Sequence, residues 1–123
     1  MREYKFRAKK NTYVDKWVYG YLVSECYISE KDELGYTPVR KETVGQYTGL
    51  HDKNEKEIYE GDILQIDVNK AWVIWNDKYG YFQLVPIGDY YFDSDVIGQA
   101  LEYTKPEVIG NIYENKELLN ETN

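Results

Sequence analysis

The chain has one cysteine, Cys26, one histidine, His51, and one methionine among 123 residues. A single thiol closes no disulfide within the chain, which fits a reducing compartment. Cys26 stands between Glu25 and Tyr27, with no neighbouring cation to favour a thiolate. His51 sits in the polar turn HDKNEK with no second histidine or paired cysteine at ligand spacing, so no zinc set is expected. A hydrolytic triad would have to use that one imidazole. No apolar run approaches the roughly 20 residues that a membrane-spanning helix needs. The opening MREYKFRAKK lacks the apolar centre of a secretory signal, so a cytoplasmic location and no membrane partner are expected. Positive charge is also scarce: 15 Lys and Arg face 22 Asp and Glu, a net charge of −7. Nucleic-acid binders usually carry the opposite excess.

What is present in quantity is tyrosine. The chain has 14 tyrosines and 3 tryptophans against 3 phenylalanines. Tyr and Trp join a large apolar body to a polar handle and suit half-buried sheets and interfaces. They also favour strand. A length of 123 residues suits one domain, since domains commonly hold about 100–150.

Alternation locates the strands. EYKFRA places Tyr4, Phe6 and Ala8 on one face and Glu3, Lys5 and Arg7 on the other. KWVYGYLV places Trp17, Tyr19, Tyr21 and Val23 opposite Val18, Gly20 and Leu22, and the two segments are expected to pair as a hairpin. Gly20 marks a bulge or a close backbone approach. SEKDELGYTP reads as an exposed loop, with Pro38 at a sheet edge or strand start. DILQIDV turns Leu64, Ile66 and Val68 inward. AWVIW is apolar on both faces, with Trp72 and Ile74 on one and Val73 and Trp75 on the other, so it needs cover on both sides. NDKYG and YFQLV complete a hairpin. SDVIGQALEY predicts a short helix with Asp95 as its N-cap, and NKELLN a terminal helix capped by Asn115. About seven short strands suggest a small antiparallel barrel or sandwich.

The stretch TVGQYTGLHDKNEKEIYEGDIL, Thr43 to Leu64, invites chemical readings. Gly45 and Gly49 lack the following Gly-Lys-Ser/Thr of a phosphate loop. Asp52, Asn54 and Glu57 suggest an oxygen-ligand loop, but Lys56 stands where the fifth position needs a ligand. Glu60 with Asp62, and Asp93 with Asp95, are carboxylate pairs without a convergent constellation around them. A structural reading accounts for more. Gly45, Gly49, Gly61 and Gly110 are expected where strands bend or turn, and Asp62 satisfies backbone donors in the turn at Gly61. No catalytic residue, metal ligand or cofactor is expected.

The same stretch, with EVIGNIYEN near the C-terminus, resembles the YopX family of bacteriophage and prophage proteins. FRA, WVYG and ELL extend the resemblance over nearly the whole chain, and it is densest at Thr43–Ile66 and Glu107–Leu119. Glu55 stands where the family often has Gly, so the turn at Asn54 is expected to differ in type. Lys116 stands where the family often has Pro, and FRAKKN lacks the Trp that commonly follows FRA. The resemblance implies a phage or prophage origin and a mainly β fold, a small antiparallel barrel of the Src-homology-3 type with short helical segments. One domain over 1–123 is expected: a hairpin at about 1–29, a loop at about 30–38, a barrel core at about 43–113 and a terminal helix at about 115–120. It implies no activity.

Function is therefore expected to be non-enzymatic binding: a phage accessory protein that engages a host or phage protein, or its own copies as a homo-oligomer. Tyr90, Tyr91 and Phe92, between Asp89 and Asp93, form a candidate interface, with Trp72 and Trp75 as further contacts. The opposing reading is that two of these three aromatics pack under a loop. The alternative function is single-stranded nucleic-acid binding, favoured by Arg2, Lys5, Arg7, Lys9 and Lys10 around the first strand.

Overall fold

Strands β1 (Phe6–Lys9) and β2 (Trp17–Ser24) form the expected hairpin, with Phe6 opposite Gly20 and Ala8 opposite Val18. These strands belong to a computed structural model that describes residues 4–31 and 33–120. Arg2 lies outside the described residues. The chain divides into two compact units, 1–49 and 50–123.

In the first unit, β2 turns back at Glu25 and Cys26 into β3 (Tyr27–Glu30), a short strand that the alternation analysis does not find. Then comes β4 (Thr37–Pro38), which pairs with β3 and forms the edge of the sheet, where a residue without an N–H is tolerated. Strand β5 (Gly45–His51) pairs with the other side of β1, giving the order β4-β3-β2-β1-β5. The core is Ala8, Val18, Ile28 and Val39, flanked by Phe6, Leu22 and Val44. At Gly20 a Cβ would fall on the Ser29 carbonyl, so this glycine serves a close backbone approach.

The polar face of β1 departs from expectation. Arg7 and Lys9 are as buried as their apolar neighbours. The Arg7 guanidinium lies 4.6 Å from the Trp17 ring centroid, and the Lys9 ammonium pairs with Asp15. Aromatic cover and an ion pair, not solvent, receive these cations.

The second unit opens with the end of β5 and the turn into β6 (Glu57–Tyr59). Strands β7 (Asp62–Ile66), β8 (Asn69–Asn76), β9 (Tyr81–Ile87) and β10 (Glu107–Asn111) form an antiparallel sheet in the order β10-β7-β8-β9. A two-residue turn at Asp67 and Val68 joins β7 to β8, with Asp67 at φ +53°. Val68 is therefore a turn residue, 80% exposed, and not the inward core residue expected. Ile58, Leu64, Ile66, Ala71, Val73, Phe82 and Leu84 form the core, with Ile97 from helix α1 (Ile97–Ala100).

Two expectations are corrected and one is refined. Neither sheet is a closed barrel: the described strands form open antiparallel sheets. The short terminal helix expected at about 115–120 takes the tighter form of a 3-10 helix over Lys116–Asn120, with the Leu118 N–H donating to the Asn115 carbonyl. Asp95 does not cap α1, whose N-cap residue is Val96 with no side-chain cap bond. The Asp95 carboxylate instead accepts the Tyr81 hydroxyl and the Gln83 amide, at 3.2 and 2.8 Å.

Glu55 has φ +64°, a left-handed backbone that glycine adopts freely and other residues adopt at a cost of about 1–2 kcal/mol. Glu55→Gly is expected to raise stability by about 0.5–1 kcal/mol in urea unfolding, less than the relief itself because glycine loosens the unfolded chain. An unchanged or lowered midpoint contradicts this.

Candidate functional site

Asp52 is 1% exposed at the base of the turn between β5 and β6. One carboxylate oxygen accepts the N–H groups of Asn54 and Lys56, at 2.8 and 2.9 Å. The other accepts the N–H of Val108 in β10, at 3.0 Å. Burial pushes this carboxyl up, but the three backbone donors and the nearby Lys56 charge outweigh it and hold it below the usual carboxylate range. The Lys53 N–H also reaches the Pro106 carbonyl. The turn that resembled a cation loop thus spends its best ligand on backbone.

Asp62 is equally buried and accepts the Tyr59 N–H at 2.8 Å, as the turn reading expects. Between them Gly61, at φ +95°, donates to Val73 and accepts from Ile112. Gly110 is compelled by packing: a Cβ there would lie 2.5 Å from the Asn115 side-chain oxygen, which accepts the Asn111 N–H. The Asn111 side chain in turn accepts the N–H groups of Tyr113 and Glu114. Gly49 has φ +88°, whereas Gly45 is a buried strand residue opposite Arg7. Neither Glu60 nor Asp62 lines the groove described below. Among the described residues no three His, Cys, Asp or Glu side chains stand together as a metal site.

The predicted interface residues separate. Phe92 packs against the core, and Tyr90 stands edge-on to it with centroids 5.3 Å apart. The Tyr90 hydroxyl donates to the Lys70 carbonyl, and burial pushes its pKa up to about 12. Trp75 packs edge-on against Phe82 at 4.9 Å and also joins the core. Trp72 is half-buried on the opposite face of β8. Of the expected cluster only Tyr91 is open to solvent, at 89%.

Tyr91 lines an open groove of about 900 Å³ beside α1. Facing the same space are Asp93, Gly98, Glu102, Tyr103 and Thr104. Tyr103 is 90% exposed, and sequence reasoning missed it. Its one signal is local: an aromatic among polar residues just before Pro106, with no apolar stripe to join. The Thr104 hydroxyl is shielded from solvent and has no hydrogen-bond partner, which costs about 1–3 kcal/mol.

This scaffold of Asp52, Gly61, Asp62, Gly110 and Asn111 coincides with the two stretches that carry the family resemblance. The model of the YopX protein family matches residues 3–120. The chain belongs to the YopX family. No curated protein matches it. Residues that carry the resemblance thus shape structural turns of the second unit, and the groove is lined by the segment 91–104 between those turns.

Asp52→Ala is expected to lower stability by about 2–4 kcal/mol, since three backbone donors lose a charged acceptor. The folded carboxyl is depressed, so its contribution is present above the model-compound value near 3.8 and is lost as pH falls through the lower folded value. Acid titration followed by circular dichroism should show that loss in the parent chain and not in Asp52→Ala. Identical acid profiles would contradict the assignment.

Proposed function

We propose that this YopX chain is a non-enzymatic binding module that engages a protein partner through the groove beside α1. The observation that supports this most is the pair Tyr91 and Tyr103, both about nine-tenths exposed across one concave surface. Large aromatics are the anchors of protein interfaces, and these two exposed tyrosines line one groove. The bacteriophage or prophage origin that the resemblance implies is part of this proposal, as are an accessory role and a location in the host cytoplasm. So is a relation to the Src-homology-3 type, for which the antiparallel sheet β10-β7-β8-β9 is the support. Homo-oligomer formation is the second mode of binding, with half-buried Trp72 and Ile74 as its surface.

A different reading has an observation of its own. The first 49 residues carry nine Lys and Arg against seven Asp and Glu, while residues 50–123 carry six against fifteen. The first unit is thus the basic one, and Tyr4, Tyr19 and Tyr21 are exposed along it. That combination suits stacking of a single-stranded nucleic acid. It ranks second because Arg7 and Lys9 are buried and Lys9 is paired with Asp15.

Affinity capture from a bacterial host lysate, with and without nuclease, tests both. A stoichiometric protein that survives nuclease and is lost from a folded Tyr91→Ala/Tyr103→Ala variant is the expected result. Recovery of nuclease-sensitive material alone, unaffected by that variant, would move the nucleic-acid reading to first place. Light scattering that shows only monomer at tens of micromolar would remove self-association.

A further inference from the structure

We propose that the groove beside α1 receives the guanidinium of an arginine on a basic partner segment. This rests on the binding-module reading and specifies its ligand chemistry.

Charge selects the sign of the ligand. Asp93 and Glu102 line the groove, both are exposed, and among the described residues no Lys or Arg does. The unit around it holds fifteen acidic residues against six basic ones. An anionic ligand, nucleic acid included, meets repulsion here, and a cationic one is drawn in. Shape selects the class. The groove is partly open to solvent, so it can accept a side chain projecting from a larger partner.

The two tyrosines select guanidinium over ammonium. A guanidinium is planar, weakly hydrated and stacks on aromatic faces, while its edge offers five donors. Tyr91 and Tyr103 supply faces, and the Asp93 and Glu102 carboxylates supply acceptors. An ammonium is a strongly hydrated point charge and gains less from a flat aromatic wall.

Gly98 provides a way to close the groove without damaging the fold. It lines the groove, and a Cβ on it would meet no atom within 4 Å. Gly98→Ala is therefore a folding control and Gly98→Phe a plug.

The experiment is an amide proton–nitrogen correlation titration of the full chain at low salt. The probes are N-acetyl-arginine amide, its lysine counterpart and its uncharged citrulline counterpart. Saturable shifts confined to residues 91–104 are expected for arginine. Affinity should be weaker by about tenfold or more for citrulline, and likewise for arginine with Asp93→Asn/Glu102→Gln, since a charge-assisted bond is lost in each case. Gly98→Phe should abolish the shifts and Gly98→Ala should keep them. Equal responses to arginine and citrulline, or unsaturable shifts spread over the acidic surface, overturn the inference. Lysine binding as well as arginine overturns the guanidinium assignment. Shifts at 91–104 that appear on raising protein concentration alone identify a second copy as the occupant and also overturn it. A captured partner that depends on Tyr91 and Tyr103, with no arginine response, overturns this inference while the binding-module reading stands.

Discussion

The buried carboxylate of Asp52 is the constraint on which the second unit depends. It draws together the turn after β5 and the start of β10, which are 56 residues apart in sequence at the Val108 contact. A buried charge survives only when its lone pairs are filled, and here three backbone N–H groups fill them. Because β10 is fixed at Val108 and Pro106 is held by Lys53, the long connection from β9 has a defined end. Its beginning is fixed by the β8–β9 ladder, and Asp95 fastens its middle to β9 through Tyr81 and Gln83. The groove is the space that this anchored connection leaves. A buried polar side chain thus determines where the groove lies.

Much of the fold is legible in the sequence where one physical rule acts alone. Period-two alternation finds β2, β7 and the β8–β9 hairpin, because those strands face a core on a regular beat. It fails where a second rule intervenes. Val68 continues the beat in sequence, but the left-handed turn at Asp67 ends the strand before it. Arg7 and Lys9 read as a wet face because charge suggests water, yet Trp17 and Asp15 are near enough to bury them. Asp95 has the form of an N-cap, but Tyr81 and Gln83 compete for its carboxylate from a strand that sequence alone does not place beside it.

The candidate site was less legible than the scaffold. Tyr90, Tyr91 and Phe92 are adjacent, so chain direction alone cannot send all three to one surface. Two turn in, as the opposing reading held, and Tyr91 turns out. Its companion across the groove, Tyr103, is 12 residues away and has no shared pattern with it. Only the helical turn between them brings the two together. The segments most characteristic of the YopX family point the other way: Gly61, Asp62, Gly110 and Asn111 shape turns, and a sequence signature can be strong while reporting stability and not activity.

The uneven division of charge has a consequence for how the protein meets its medium. An isoelectric point near 4.7 is the average of a mildly basic unit and a strongly acidic one. Self-repulsion is concentrated in the acidic unit, and mobile ions damp it over a distance of about 8 Å at physiological strength. Added salt therefore relieves strain in residues 50–123 while offering residues 1–49 little.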